Sequence, residues 1–167
     1  MKKTPRIKWD DYFMGLAYYC SIRSHDSETK VGCVLVSNNR IISVGYNGFC
    51  SEVDEDPLPT TRPDKYPFMV HAEQNAITNM VIRPNSPVKA YITAFPCHVC
   101  AKLLWQIGAR EWYIPEGAKV HSFDDNDNQV MDNLIKNGLA IKELKTELSL
   151  LKDVYNTLSG NKRVISQ

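Results

Sequence analysis

Lys89-Ala90-Tyr91-Ile92-Thr93, then Ala94-Phe95, then Pro96-Cys97-His98-Val99-Cys100-Ala101-Lys102-Leu103-Leu104-Trp105-Gln106-Ile107-Gly108, is the stretch that sets the architecture. Lys89 to Thr93 predicts a short strand. Pro96 to Ile107 predicts a helix that opens on a proline and is closed by Gly108. Working outward, Glu111 to Ile114 predicts the next strand, Asn126 to Asn137 a helix stopped by Gly138, and Leu139 to Leu144 another strand. On the other side, His71 to Met80 predicts a helix that must end before Pro84. Val31 to Val36 and Arg40 to Gly45 predict two strands joined by a turn at Asn38-Asn39, a hairpin. Trp9 to Arg23 places Tyr12, Phe13, Leu16, Tyr19 and Cys20 at helical spacing, with Asp10 or Asp11 able to cap its start. The tail from Lys145, with Leu148, Leu151, Val154 and Leu158, predicts a last helix. Alternating helices and strands after a hairpin predict an α/β fold, a mixed five-stranded sheet with helices on both faces.

The chain has 167 residues, 43% of them hydrophobic and 23% charged. That length and composition suit one globular domain, residues 1–167, with a substantial core. The formal net charge is +1, so no broad electrostatic footprint for a nucleic-acid polymer is expected. No apolar run approaches a membrane span, and MKKTPRIKWDDYFMG begins basic with no apolar segment behind it, unlike a secretory signal. The expected location is cytoplasmic, where five reduced cysteines point to metal or redox chemistry rather than to disulfides. Residues 46–70 lack periodicity and carry Pro57, Pro59, Pro63 and Pro67 beside the acidic run from Glu52 to Asp56. Ordered loops of that length are often functional.

Two short motifs carry chemistry, His71-Ala72-Glu73 and Pro96-Cys97-His98-Val99-Cys100, each at a predicted helix start. Cys97 and Cys100, three residues apart, can face one metal ion, and a helix N-terminus favours their thiolates. With the imidazole of His71 they make three ligands of a tetrahedral Zn2+, one per chain, whose fourth position stays open to water. Glu73 can reach that position without being a ligand, as the general acid/base that moves the proton. A lone C-x-x-C after a strand also describes a thiol redox site, and a lone His-x-Glu says little. H-x-E followed by P-C-x-x-C is the signature of zinc deaminases acting on nucleobases.

The sequence also resembles the deoxycytidylate deaminases from about Trp9 to about Ile114. The resemblance is carried by Tyr12-Phe13-Met14, by Arg23-Ser24 with Asp26, Thr29 and Val31-Gly32, and by Gly45-Tyr46-Asn47-Gly48. Lys65-Tyr66-Pro67, His71-Ala72-Glu73-Gln74-Asn75-Ala76-Ile77, Phe95-Pro96-Cys97 and Cys100-Ala101-Lys102 complete it. The H-A-E and P-C-x-x-C pieces are shared with tRNA adenosine, guanine and riboflavin-pathway deaminases, whereas the R-S-x-D-x-x-T-x-V-G and G-Y-N-G pieces point to deoxycytidylate.

What the resemblance implies is a cytidine deaminase-like, three-layer α/β/α sandwich that converts dCMP to dUMP and ammonia for thymidylate synthesis. It implies a zinc held by His71, Cys97 and Cys100, proton transfer by Glu73, a sugar hydroxyl held by Asn47, and a cytosine carbonyl met by the backbone of Ala72. Phe95 is expected to stack on the pyrimidine. The same resemblance implies a homo-oligomer, a hexamer, activated by dCTP and inhibited by dTTP, with Lys3, Arg6, Arg23 and Gly48 as candidates for the effector site. It weakens after Ile114, where Pro115-Glu116-Gly117-Ala118-Lys119-Val120-His121 replaces the usual phosphate-binding segment, leaving Lys119 or His121 to meet the 5′-phosphate or to be plain surface. No second zinc is expected, because the long loop holds only Cys50 and no histidine, and Trp9, Trp105 and Trp112 are expected in the core or at subunit interfaces. A polynucleotide deaminase, a thiol redox protein using Cys97 and Cys100, and an inactive nucleotide sensor remain as rival readings.

Overall fold

The computed structural model describes residues 6–118 and 125–145. The elements run α1 (Trp9–Ser21), β1 (Gly32–Ser37), β2 (Arg40–Tyr46), α2 (Ala72–Thr78), β3 (Val88–Ile92), α3 (His98–Gln106), β4 (Ala109–Pro115), α4 (Asp125–Lys136) and β5 (Ala140–Leu144), with a short 3-10 turn at Tyr66–Phe68. The five strands form one sheet in the order β2-β1-β3-β4-β5. β1 is antiparallel to both β2 and β3, whereas β3, β4 and β5 run parallel, so the sheet is mixed as expected.

The hairpin forms because Asn38 and Asn39 both accept positive φ, 51° and 57°, as a two-residue loop between twisted strands demands. Every residue of β1 is buried, since both faces of a central strand are covered. Cys33 and Leu35 face one cluster with Ala72, Ala76, Leu104 and Trp112. Val34 and Val36 face the other, with Phe13, Met14 and Ala17 of α1 and with Tyr91 and Tyr113. α1 therefore lies on one face of the sheet, and α2 and α3 on the other.

Two glycines set how closely these helices approach. A Cβ on Gly32 would fall 1.9 Å from the Ala17 carbonyl oxygen, and one on Gly45 would fall 2.3 Å from both the Ala72 oxygen and the Ala76 nitrogen. Only glycine permits such backbone contact.

Several expected boundaries move. Lys8, not Asp10 or Asp11, is the N-cap of α1; both aspartates lie in its first turn, where negative charge suits the helix dipole. Asp10 Oδ1 accepts a hydrogen bond from the Tyr91 hydroxyl at 2.6 Å. α3 begins at His98 rather than Pro96, because Cys97 is extended (φ −71°, ψ 167°) and serves as the N-cap. Trp112 is fully buried and Trp105 packs at the core edge, with the Arg110 guanidinium 3.4 Å from its ring centre. Trp9 is 56% exposed and stacks on Phe13. No helix among the described residues is long and apolar enough to cross a membrane. The expected C-terminal helix lies almost wholly outside the described residues.

Candidate active site

The close contact of α2 with β2 fixes the first half of the site. Gly45 lets α2 lie on the strand, Asn75 Nδ2 donates to the Tyr46 carbonyl at 2.7 Å, and Asn79 Nδ2 reaches the Val44 carbonyl at 3.3 Å. His71 is the N-cap of α2, and its backbone N–H donates to Gln74 Oε1 at 2.8 Å. The sequence Gln74-Asn75-Ala76 thus has a local reason: one residue fixes the histidine's backbone, one ties the helix to the strand, and one is small enough to face Gly45.

The second half comes from α3. His71 Nδ1 lies 3.6 Å from Cys97 Sγ and 3.4 Å from Cys100 Sγ, and the three ligand atoms all fall within 4.8 Å of one another. A tetrahedral zinc with ordinary Zn–S and Zn–N distances separates a sulfur from a nitrogen ligand by ~3.6 Å. The residues present therefore fit the metal, with His71 offering Nδ1. Among the described residues this is the grouping of histidine, cysteine or carboxylate side chains able to hold an ion. Cys20, Cys33 and Cys50 stand apart from it as free thiols.

The electrostatics suit a cation. The hydrogen bond from Cys100, reinforced by His71, pulls the Cys97 thiol down to about 4. The same bond, together with burial, pushes Cys100 up. The hydrogen bond with Cys97 raises His71 above its ordinary value. Protons are thus shared within a triad that surrenders them on binding a metal. Glu73 is 3% exposed, and burial raises its carboxyl above the ordinary range, the direction that favours a group able to carry a proton.

A pocket opens beside this cluster. His71, Ala72, Glu73, Phe95 and Cys97 line it together with Asp26, Thr29, Val31, Asn47, Arg62, Lys65 and Tyr66. The structure brings Glu73, Ala72, Asn47 and Phe95 into one cavity with the triad. Asn47 has an ordinary negative φ, so it is no left-handed turn residue. Gly48 pairs with Val70 across an isolated bridge and sits against His25.

Of the effector candidates among the described residues, Arg6 and Arg23 do not converge within one chain. Arg6 and Arg23 are both exposed and flank opposite ends of α1, whose 13 residues span roughly 20 Å. Lys3, Lys119 and His121 lie outside the described residues.

Sequence reasoning missed the polar wall of the pocket. Lys65 is 2% exposed, yet its ammonium pairs with Asp26 Oδ1 and Glu28 Oε2, both at 2.7 Å. Asp26 also accepts from the backbone N–H groups of Glu28 and Thr29, at 2.8 and 3.1 Å. Arg62 donates to Thr29 Oγ1 and, through its backbone, to Glu28 Oε2. The sequence did carry a signal: Asp26, Thr29 and Lys65 are among the residues that mark the family resemblance, though nothing in their spacing says that they meet.

Comparison with known proteins fits this geometry. The fold is that of a dCMP deaminase from the cyanophage S-TIM5, with a TM-score of 0.62 and 24% identity over 84% of this chain and all of that one. That enzyme has also been solved with dCMP and dUMP. The sheet and its helices thus define a cytidine deaminase-like α/β fold. The family model of the cytidine and deoxycytidylate deaminase zinc-binding region matches residues 7–116, and the chain belongs to this family. Human deoxycytidylate deaminase is 37% identical over 131 residues, covering 74% of this chain and 73% of the human one. A probable deoxycytidylate deaminase of Drosophila melanogaster is 40% identical over 119 residues, covering 64% and 59%.

Proposed function

We propose that this protein hydrolyses dCMP to dUMP and ammonia with one zinc ion per chain. The observation that carries the reading is the match between the His71–Cys97–Cys100 triangle and a tetrahedral zinc, set in the same pocket as a buried Glu73. The similarity to deoxycytidylate deaminases supports dCMP as the substrate. When bound, zinc supplies the Lewis acidity that makes water a usable nucleophile at neutral pH. Glu73 takes a proton from the attacking water and delivers it to the pyrimidine N3, then takes the proton of the hydroxyl now on the ring carbon and passes it to the departing amine, which leaves as ammonia. The N–H of Ala72, in the first turn of α2, donates to the pyrimidine carbonyl. Phe95 lies against the base and excludes water. Arg62, its side chain 44% exposed, stands at the rim as a cation toward the 5′-phosphate.

The proposal extends to regulation and assembly. dCTP raises activity, dTTP lowers it, and the working unit is a homo-hexamer. Similarity to deoxycytidylate deaminases supports this, as does the apolar outer side of α1 with its exposed Trp9, Tyr12 and Tyr19. Because Arg6 and Arg23 are so far apart in one chain, each would meet effector phosphates at a subunit boundary rather than together. The test is an ultraviolet deamination assay with dCMP, CMP, dCTP and deoxycytidine, each with and without dCTP or dTTP. Preferential turnover of dCMP is expected; turnover of none of them by zinc-loaded protein overturns the reading. Rates indifferent to both effectors across a dCMP titration reject the regulatory part.

A further inference from the structure

The side chain of Asn47 is held from three directions. Its Oδ1 accepts the backbone N–H of Val31 at 2.8 Å. Its Nδ2 donates to Asp26 Oδ2 at 3.2 Å and to the Thr29 carbonyl at 2.9 Å. Both amide protons are used, and one lone pair of the oxygen is taken. A side-chain amide offers two donors and two acceptor positions, so toward the pocket Asn47 retains only one acceptor position.

The amide cannot turn over. A flip would aim its oxygen at the Asp26 carboxylate and the Thr29 carbonyl, and its NH2 at the Val31 N–H. Of the three partners that enforce this, Asp26 is the one side chain, and its carboxylate is itself kept in place. Lys65 Nζ and the N–H groups of Glu28 and Thr29 all converge on Oδ1, which leaves Oδ2 for Asn47. Asp26, Lys65 and Asn47 are each at least nine-tenths buried, so water does not substitute readily for any of these partners.

We propose that Lys65 and Asp26 are positioning residues that lock the Asn47 amide as a hydrogen-bond acceptor, so that the enzyme selects a nucleotide whose sugar donates a proton from its 3′ position. This rests on the dCMP reading above. It adds a role for Asn47, which lines the same pocket as Glu73, and the residues that set its polarity; the 3′ hydroxyl is the one hydroxyl that the sugar of dCMP carries. The neutral amide introduced by Asp26→Asn could not do the same. With its oxygen toward Lys65 and the two backbone N–H groups, its NH2 would face Asn47 Nδ2, donor against donor. That clash would push the Asn47 amide out of its place against the Val31 N–H and the Thr29 carbonyl, so that its oxygen would no longer be held toward the pocket.

The experiment compares kcat/KM for dCMP with its 3′-amino analogue, a donor, and its 3′-fluoro analogue, an acceptor of similar size. Wild-type enzyme is expected to use the 3′-amino compound within about threefold of dCMP and to disfavour the 3′-fluoro compound by at least about tenfold. Asp26→Asn should shrink that preference for hydroxyl over fluorine to about threefold or less, while zinc content stays unchanged. Lys65→Met should shrink it too, mainly through KM, since Asp26 then loses its cation. A lock that only holds the fold together would lower both rates alike and leave the ratio unmoved. Wild-type indifference to the 3′-fluoro substitution overturns the proposal outright, whether or not either variant folds. A Lys65→Met enzyme with the full wild-type preference removes Lys65 from it. No turnover of dCMP itself would instead defeat the functional reading, so the two failures are distinct.

Discussion

His71 and Cys97 hold equivalent places in two different helices: each is the N-cap, extended in backbone, and their side chains meet at 3.6 Å. The ligand triangle is therefore set by how α2 and α3 are docked on the sheet rather than by a flexible loop. At the start of α3 the backbone N–H of Cys100 donates to the Cys97 sulfur, and the positive end of that helix favours a thiolate there.

If that triangle holds zinc, purified protein should contain about one ion per chain, and Cys97→Ser or Cys100→Ser should bring the content below about a tenth of that. Metal analysis measures this. Chelation should also lower the melting temperature, because an ion bound only by the folded state stabilises it by mass action.

Glu73→Gln keeps the shape of the side chain and removes its capacity to carry a proton. The variant should retain zinc and bind dCMP, with kcat lowered by about 10²–10⁴ or more. Single-turnover assays with parallel titration of dCMP separate the two effects. Full activity in this variant would dismiss Glu73 as the proton carrier.

Gly45→Ala should destabilise by at least about 1–3 kcal/mol, because the new methyl would sit 2.3 Å from helix backbone that cannot yield cheaply. It should also weaken zinc binding, since α2 carries His71. Gly15→Ala is the control. Nothing lies within 4 Å of that position, and a mid-helix glycine replaced by alanine should gain about 0.5–1 kcal/mol. Urea unfolding at fixed zinc tests both.

The buried ion pair predicts the response to acid. Burial opposes ionisation of Asp26, but hydrogen bonds from Lys65 and from the Glu28 and Thr29 backbone outweigh it and hold the carboxyl below its usual range. A group whose folded pKa is depressed stabilises above its unfolded value, about 3.9, and that contribution is lost as pH falls through the folded one. Stability should therefore fall on acidification from about pH 5 downward, and Asp26→Asn should flatten that limb while being less stable near neutrality. For Lys65 burial again opposes the charge, and Asp26 and Glu28 outweigh it and raise the pKa. Its contribution is full below about 10.4 and is lost only as pH rises through the folded value. Urea midpoints measured against pH check both limbs.

Much of this site is legible in the sequence alone. His71, Glu73, Cys97 and Cys100 announce themselves because metal and proton chemistry restrict both residue type and spacing. The Asn38-Asn39 turn is equally plain, since few residues accept its backbone. The start of α3 is less so: a proline suggests a first helical residue, but here Pro96 precedes a cysteine N-cap and the helix begins only at His98. The wall made by Asp26, Asn47 and Lys65 cannot be read, because its members are 21 and 39 residues apart from Asp26 and a lysine in a polar loop looks like solvent-facing charge. What buries it is the path of residues 46–70 back across the pocket, which no local pattern encodes.

Among the described residues, every side chain that lines the pocket falls between Asp26 and Cys97, on the segments that follow α1, β2 and β3 and at the start of α2. β4 and β5 extend the sheet away from that region. The division separates two kinds of inheritance. The first part of the chain must preserve atomic positions to preserve chemistry, whereas the parallel strands at the far edge need only remain well packed. Drift in sequence should therefore accumulate toward β5, where this chain can differ most from its relatives without altering how it meets a nucleotide base.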